Sequence, residues 1–172
     1  MAINKSLAEK ILKMAKIDQK IRFNALKTKD KKKAGIKIMR IDKSNTKKAQ
    51  EIVKQYGWPT FNLIGKKASN AFWLIIQHAD LDIKFQEECL KLLKQAVKNK
   101  QAFPQNEAYL TDRVLVNRGK KQKFGTQFIR KDNRLVPKPI FNKNNVNKRR
   151  KLYNLGTLEE NIRKTNRIHQ RG

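Results

Sequence analysis

The first regular pattern in the chain is a helical stripe of apolar side chains. They recur three or four positions apart at Ile3, Leu7, Ile11, Met14, Ile21 and Ala25. This spacing predicts an α-helix from residue 3 to about residue 26, with lysines on its other face. Asp18 falls where the stripe predicts an apolar residue, and Arg22 follows four positions later. The two form either an ordinary surface ion pair or, if they face the core, a buried pair that belongs to a site.

The longest apolar run extends from Ala71 to Val97 and contains neither Pro nor Gly. It therefore predicts one long helix. The segment Gln77 to Asp82 brings polar side chains into this run. At four-residue spacing, His78, Asp82 and Gln86 would line one side of the helix. Such a row is either a surface stripe or one wall of a polar pocket.

Between these two helices the sequence predicts a basic loop over residues 28–37 and a short helix over residues 47–55. Ser44-Asn45-Thr46 resembles an N-cap for the short helix, and Gly57 suits its end. A tight connection containing Trp58 and Gly65 then leads to the long helix, which we expect to begin near Ala68.

A further helix is predicted from Pro104, a residue that suits a first helical turn, to Gly119. Asp112 and Arg113 interrupt its apolar sequence, as His78 interrupts the preceding run. Because two neighbouring helices each carry charge among apolar residues, we expect their polar groups to meet.

From Gln122 the period changes to that of β-strands. Residues 122–129 and 135–140 predict a small hairpin, and Gly125 indicates a bulge or a close approach by backbone or ligand. Thr157-Leu-Glu-Glu160 is a capping-box signature for a final helix. The predicted fold is mainly α: a single-domain bundle of about five or six helices with one small β-hairpin. The domain is expected over residues 1–158, and a basic C-terminal helix or tail over residues 159–172.

The composition points to a class of partner only through the net charge of the chain, which is +28. The excess is +12 over residues 1–60, +3 over 61–118 and +13 over 119–172, so both flanks are basic. Nucleic acid or an anionic membrane surface usually neutralises such charge. Solvated lysines that only aid solubility are the simpler explanation, but they do not account for the scarcity of acidic residues. We therefore expect a nucleic acid partner.

Binding is expected to occur through phosphates, with a steep salt dependence and little sequence choice. No helix-turn-helix, zinc-finger or RNP pattern is visible. Lys outnumbers Arg 31 to 11, and a basic hairpin and tail suit irregular RNA at least as well as a duplex groove, so RNA is preferred over DNA. The candidate contacts are Lys31, Lys32, Lys33, Lys120, Lys121, Lys123, Arg130, Lys131, Arg134, Lys148, Arg149, Arg150 and Lys151.

The single cysteine, Cys89, lies at an apolar position of the predicted long helix. It indicates a buried structural thiol and excludes a disulfide or a cysteine-based zinc site within one chain. No apolar run reaches the roughly 18 residues of a membrane span, and no apolar signal segment follows the N-terminus. We expect a cytoplasmic protein without a membrane span.

Five spaced motifs together resemble a bacterial domain family of unknown function. They are Asp18-Gln19-x-x-Arg22, Gly57-Trp58-Pro59-Thr60, Gln77-His78-Ala79-Asp80, Leu110-Thr111-Asp112-Arg113 and Gly125-Thr126-Gln127. The resemblance covers roughly residues 7–158 and implies a shared fold. It also implies a shared polar site at Asp18, Arg22, His78, Asp80, Asp82, Asp112, Arg113 and Gln127, but no reaction. Phe124 stands where the family pattern has Tyr, so any role of that hydroxyl is lost here.

If these residues converge, His78 is the natural general acid or base, because it alone titrates near neutrality when unperturbed. Asp82 or Asp112 could orient its ring, while Arg22 and Arg113 could hold an anionic phosphate or carboxylate. Phosphodiester cleavage is the concrete hypothesis. A divalent metal held by His78 with Asp80, Asp82 or Asp112 is a variant, but this spacing matches no metal signature.

The sequence leaves open whether the chain is an enzyme. The leading hypothesis is a basic, nucleic-acid-associated protein whose central His/Asp/Arg site cleaves phosphodiesters. One alternative is a non-catalytic component of a ribonucleoprotein particle, in which the polar residues form a purely structural buried network. Another is a toxin-like or other hydrolase that acts on a substrate other than nucleic acid.

Overall fold

The computed structural model describes residues 2–170 and is mainly helical, as predicted. Within these residues the chain forms seven α-helices and one two-stranded antiparallel hairpin. The helices are α1 (Lys5–Lys27), α2 (Lys31–Tyr56), α3 (Phe61–Gln77), α4 (Ile83–Lys98), α5 (Pro104–Asn117), α6 (Val146–Leu152) and α7 (Leu158–Gln170). The strands are β1 (Phe128–Lys131) and β2 (Arg134–Pro137). In residues 2–170, no helix combines the length and the apolar character that a membrane crossing requires.

Backbone contacts divide the chain into two compact units, one up to Phe103 and the other from Pro104 onward. In the first unit α1 packs against α2 and α3. Its apolar stripe faces inward as predicted, and the ring of Trp58 packs edge-on against Phe72 at 5.4 Å. Cys89 is a buried free thiol, and burial raises its pKa well above the ordinary range. The core includes Leu7, Ile11, Met14, Ala49, Ile52, Phe72, Ile75, Ile76, Phe85, Cys89 and Leu93.

The predicted single helix from Ala71 to Val97 is wrong, because α3 ends at Gln77 and α4 begins at Ile83. The side chain of Asp82 caps α4 by accepting from the backbone N–H of Phe85 at 2.9 Å. The buried amide of Gln86 donates to the carbonyl of Ile76 at 3.0 Å, which satisfies one of the last carbonyls of α3. His78 and Asp82 therefore lie in a turn between two helices and do not share a helical face.

The predicted basic loop over residues 28–37 and short helix over 47–55 are also wrong, because both fall within the long helix α2. Its N-cap is Asp30, which accepts from the backbone N–H of Lys33 at 2.8 Å. Ser44-Asn45-Thr46 lies in the middle of this helix. Asn45 and Thr46 are buried there, since α2 keeps one face against the core along its length. Helix α3 likewise starts earlier than expected, at Phe61, and kinks at Gly65.

The second unit contains the predicted hairpin, shortened to four residues in each strand. Phe128 pairs with Pro137, and the turn residues Asp132 and Asn133 adopt the left-handed conformation of a tight hairpin. Helix α7 is attached to the hairpin by Asn166. Its side-chain amide accepts from the N–H of Leu135 and donates to the Leu135 carbonyl, both at 2.8 Å.

The predicted capping box at the start of α7 is confirmed. The backbone N–H of Glu160 donates to the Thr157 hydroxyl oxygen at 3.2 Å, and the N–H of Thr157 donates to the Glu160 carboxylate at 2.7 Å. Leu158 beside it is buried. Residues 171 and 172, the end of the predicted basic tail, lie outside the described residues.

We expect Gly125→Ala to destabilise the protein more than Gly119→Ala, as measured by urea denaturation. Both glycines have a left-handed φ, +71° and +70°, so alanine strains the backbone at both by about 1 kcal/mol. Only at Gly125 would the new Cβ lie 2.6 Å from a side-chain carbon of Leu158. Overpacking of this kind lowers the free energy of unfolding by a further ~1–3 kcal/mol. Equal losses for the two variants would contradict the close approach at Gly125.

Candidate functional site

Three helices of the first unit bring four titratable or charged side chains together. Asp18 and Arg22 lie one turn apart on α1, Asp42 comes from α2, and His78 follows the last residue of α3. We call this group the His78 cluster. The side chain of Asp18 is only 1% exposed, while that of His78 is 17% exposed. The cluster is thus anchored in the core by Asp18 and reaches the surface at Arg22, His78 and Asp42.

The carboxylate of Asp18 is the centre of the cluster. Arg22 Nε donates to both of its oxygens, at 3.1 and 3.2 Å, and the Gln19 amide donates to Oδ2 at 2.7 Å. His78 Nδ1 lies 3.0 Å from the same Oδ2. The second contact of Arg22 is through Nη2, which donates to Asp42. Of the two alternatives for Asp18 and Arg22, the structure shows the buried pair.

The turn after α3 fixes the position of His78. Its backbone N–H bonds to the carbonyl of Ile75 at 3.1 Å, and its φ of −98° and ψ of 3° lie in the bridge region, where helical geometry ends. The fully buried Gln86 closes the turn from α4, because its amide reaches both the Ile76 carbonyl and the Asp80 carboxylate. The imidazole is therefore held through its backbone as well as through Asp18.

The His78–Asp18 contact has the distance of an ion pair. His78 Nδ1 is a buried atom without a partner in good hydrogen-bond geometry, so the contact is not an in-line hydrogen bond. With Nδ1 directed at the Asp18 carboxylate, Nε2 is the ring nitrogen left to face a substrate.

The two carboxyls of the cluster have pKa values shifted in opposite directions. Burial raises the pKa of Asp18, but contacts with His78, Gln19 and Arg22 outweigh it, and the net pKa is lowered. Burial raises the pKa of Asp42, the nearby charges of Asp18 and Asp80 add to this, and the charge of Arg22 offsets it only in part. Asp18 is thus the permanent anion, and Asp42 is the carboxyl that protonates more readily. Oppositely shifted pairs are typical of functional sites.

Sequence reasoning did not identify Asp42. The stripe of α2 that includes Ala34, Asn45 and Ala49 is buried, and Asp42 lies three residues before Asn45, on the same side of the helix. It interrupts this stripe as Asp18 interrupts that of α1. The signal was present, but it could only be read once residues 31–56 were recognised as one helix.

Asp82 and Asp80, both predicted site residues, lie next to the cluster and have other contacts. Asp82 caps α4 and accepts from the side-chain amide of Gln50 at 2.9 Å. Asp80 is exposed and accepts from Gln86 at 3.2 Å. Asp82 or Asp112 was predicted to orient His78, but the carboxylate that lies beside His78 Nδ1 is that of Asp18.

Asp112, Arg113 and Gln127 lie in the second unit, where they hold the segment from Gln122 to Gln127. The fully buried carboxylate of Asp112 accepts backbone N–H groups of Lys123, Phe124 and Thr126 at 2.7–3.1 Å, and also the Thr126 hydroxyl. Arg113 donates to Gln127 at 2.9 Å. The Phe124 ring, in the position expected for Tyr, packs edge-on against Tyr153 at 4.8 Å.

Arg150 was predicted to contact phosphates, and this prediction is wrong. Its side chain is 2% exposed, and its guanidinium donates to the carbonyls of Phe124 and Gly156, both at 2.6 Å. Burial accordingly lowers the pKa of Arg150. The neighbouring Arg149 donates to the carbonyls of Lys123 and Phe141. The remaining predicted contacts are exposed: Lys31, Lys32, Lys33, Lys120, Lys121, Lys123, Arg130, Lys131, Arg134, Lys148 and Lys151.

The His78 cluster also contains a group of side chains that could hold a metal ion. Asp18, Asp42 and His78 each offer one ligand atom, and these atoms lie within 4.8 Å of one another. Two carboxylates and an imidazole suit Mn²⁺, Zn²⁺ or Fe²⁺. The guanidinium of Arg22 already lies against both carboxylates and supplies the positive charge there. A metal and this arrangement of Arg22 would compete for the same oxygens.

The chain belongs to a family of unknown function, DUF6624, whose model matches residues 5–169. The resemblance inferred from the five motifs, to a family without an assigned function, is thereby confirmed. No curated protein and no solved structure matches the sequence.

We expect Asp18→Asn to lower the free energy of unfolding at neutral pH by about 2–3 kcal/mol, because Arg22 and His78 lose their charged partner. The loss should shrink in acid. A carboxyl with a lowered pKa stabilises the folded state above its unfolded pKa, near 3.9, and this contribution disappears as pH falls through the folded value. Urea denaturation between pH 7 and pH 3 measures both effects. Asp132→Asn, at an exposed turn residue that tolerates Asn, is the matched control. A loss that does not depend on pH would contradict the charged role of Asp18.

We expect Arg22→Ala to make thermal stability respond to divalent metal. The variant leaves two carboxylates and His78 close together without their internal cation, so Mn²⁺ or Zn²⁺ should raise its Tm more than that of the parent chain. The double variant Arg22→Ala/Asp42→Asn, which lacks one ligand, should lose this response. If all three proteins shift equally, the metal acts elsewhere and Arg22 does not occupy a cation position.

Proposed function

We propose that this protein is a nucleic-acid-associated enzyme that cleaves RNA phosphodiesters, with His78 as its general base. The observation that supports this proposal most directly is the 3.0 Å contact between His78 Nδ1 and the buried Asp18 carboxylate. A histidine paired with an anion, held at a helix end and partly open to solvent, can accept a proton through Nε2 and be stabilised as the imidazolium.

RNA supplies its own nucleophile for such a site. His78 Nε2 would remove the proton of a ribose 2′-hydroxyl, and the 2′-oxygen would form a bond to the adjacent phosphorus. The bond from phosphorus to the 5′-oxygen then breaks, the leaving oxygen takes up a proton from water, and His78 returns its proton to the solvent. The products are a 2′,3′-cyclic phosphate and a free 5′-hydroxyl. DNA lacks the 2′-hydroxyl, so this chemistry favours RNA.

The phosphate must be held by groups other than Arg22, which already lies against two carboxylates. A groove on the surface of α2 offers such groups. Arg40, Lys43, Lys47 and Lys48 line it together with Asp82 from the turn after His78. Cations along this groove would bring the RNA backbone to the edge of the His78 cluster.

A second candidate function, binding RNA without cleaving it in a ribonucleoprotein particle, is favoured by the second unit. Asn166 fixes α7 against β2, and exposed basic side chains lie on both elements. Arg130, Lys131 and Arg134 come from the hairpin, and Arg163, Lys164 and Arg167 from α7. Two of the acidic residues of this unit, Glu107 and Asp112, are buried. Its surface can therefore bind a polyanion without any reaction.

We expect His78→Ala to abolish RNA cleavage while RNA binding is retained. The purified chain and the variant are incubated with end-labelled RNA, 2′-O-methyl RNA and DNA, in EDTA or with Mg²⁺, across a salt series. Cleavage of unmodified RNA alone, even in EDTA, is the expected result, and the products should carry 2′,3′-cyclic phosphates. Glu9→Ala, at an exposed carboxylate of α1 outside the His78 cluster, is the control and should still cleave.

Three outcomes decide between the candidates. Cleavage by His78→Ala would rule out His78 as the general base. Cleavage of DNA would rule out attack by the 2′-hydroxyl. If RNA binding weakens steeply with salt and no protein cleaves RNA, the cleavage proposal is rejected in favour of the non-catalytic RNA-binding function.

A further inference from the structure

A groove between the end of α1 and the start of α2 has a mostly apolar lining that no other part of residues 2–170 covers. Its volume is about 640 Å³. The lining includes Phe23 and Leu26 of α1 and Gly35 and Ile38 of α2. Phe23 is 56% exposed and Leu26 is 69% exposed. Large apolar side chains grouped in a groove are typical of binding surfaces.

The groove is continuous with the His78 cluster. Gln19 and Arg22, the two α1 residues that bond to the Asp18 carboxylate, form one end of its lining. Phe23 follows Arg22 directly in the chain. A molecule lying in this groove would therefore have one end beside the group that contains His78.

The groove also carries positive charge next to its aromatic ring. The Lys27 ammonium lies over one face of the Phe23 ring, 4.2 Å from its centre, so a base would stack on the opposite face. Lys31, which donates to the last carbonyls of α1, belongs to the lining itself. An aromatic ring flanked by lysines is the arrangement by which proteins bind single-stranded nucleic acid, since bases stack on the ring and phosphates meet the cations.

We propose that this groove binds an unstacked base of single-stranded RNA against Phe23, next to the His78 cluster. The proposal rests on the proposed function and deepens it, because it names the strand state of the substrate. Stacking needs a base whose face is free, and a duplex offers none away from its ends. The groove volume is ample for one nucleoside. The ammonium groups beside the ring favour an anionic strand over an apolar peptide.

The test is binding of a labelled 2′-O-methyl RNA strand, which lacks the attacking hydroxyl, and of the same sequence as a duplex. Phe23→Ala should weaken binding of the single strand on the order of tenfold and leave duplex binding unchanged. Phe23→Trp should restore it, because an indole also stacks. Ile17→Ala, which removes another exposed apolar side chain of α1 outside the groove lining, should have no effect.

The outcomes separate this proposal from the proposed function. If Phe23→Ala binds the single strand like the parent chain, or weakens strand and duplex equally, or if the parent chain binds no single strand, the base site is overturned. Cleavage of unmodified RNA is followed in parallel with His78→Ala. If binding of the single strand depends on Phe23 but no protein cleaves RNA, the base site in the groove is supported and the proposed cleavage activity is rejected.

Discussion

The stability of the first unit depends on how the charge of one buried carboxylate, that of Asp18, is compensated. Asp18 lies in the middle of α1 on its core-facing stripe, where an unpaired charge would cost several kcal/mol. Helix geometry supplies one partner, because Arg22 lies one turn along on the same face. The other partners come from different elements: Asp42 bonds to Arg22 from α2, and His78 contacts Asp18 from the end of α3. The need to pair one charge thus fixes the positions of three helices, and stability and candidate chemistry rest on the same contacts.

The second unit has a buried carboxylate too, but with a different set of neighbours. Asp112 is surrounded by backbone N–H groups, and Arg150 by backbone carbonyls, so the segment from Gln122 to Gln127 is held by opposite charges. Neither group has a partner here that titrates near neutrality. Asp18, by contrast, contacts a partly exposed histidine. Two charged residues that look alike in an apolar sequence can therefore serve structure in one case and candidate chemistry in the other.

The sequence predicted those elements whose signals lie within a few residues of one another, and it missed those that depend on contacts between distant residues. Periodicity located α1, α5 and the hairpin, and capping chemistry located the start of α7, because those signals are local. The break after Gln77 has no Pro or Gly to mark it. Asp82 offers a local N-cap for α4, but the bond from Gln86 back to the Ile76 carbonyl forms only in the folded turn and is a matter of tertiary structure. Asp42 was missed for the same reason: its importance depends on Arg22, twenty residues earlier.

The charge of the site is opposite to that of the chain around it. Asp18, Asp42 and Asp80 affect one another's environment, and Arg22 is the cation that lies against two of them, within a protein of net charge +28. A phosphate gains little from entering such a cluster. A phosphate of the proposed RNA substrate would gain more from the exposed lysines along α2 and beside Phe23, whose attraction acts over a distance that salt shortens. Under the proposed function, the basic surface would supply the affinity for RNA and His78 would transfer the proton. The acidic cluster and the basic surface around it would then have separate roles.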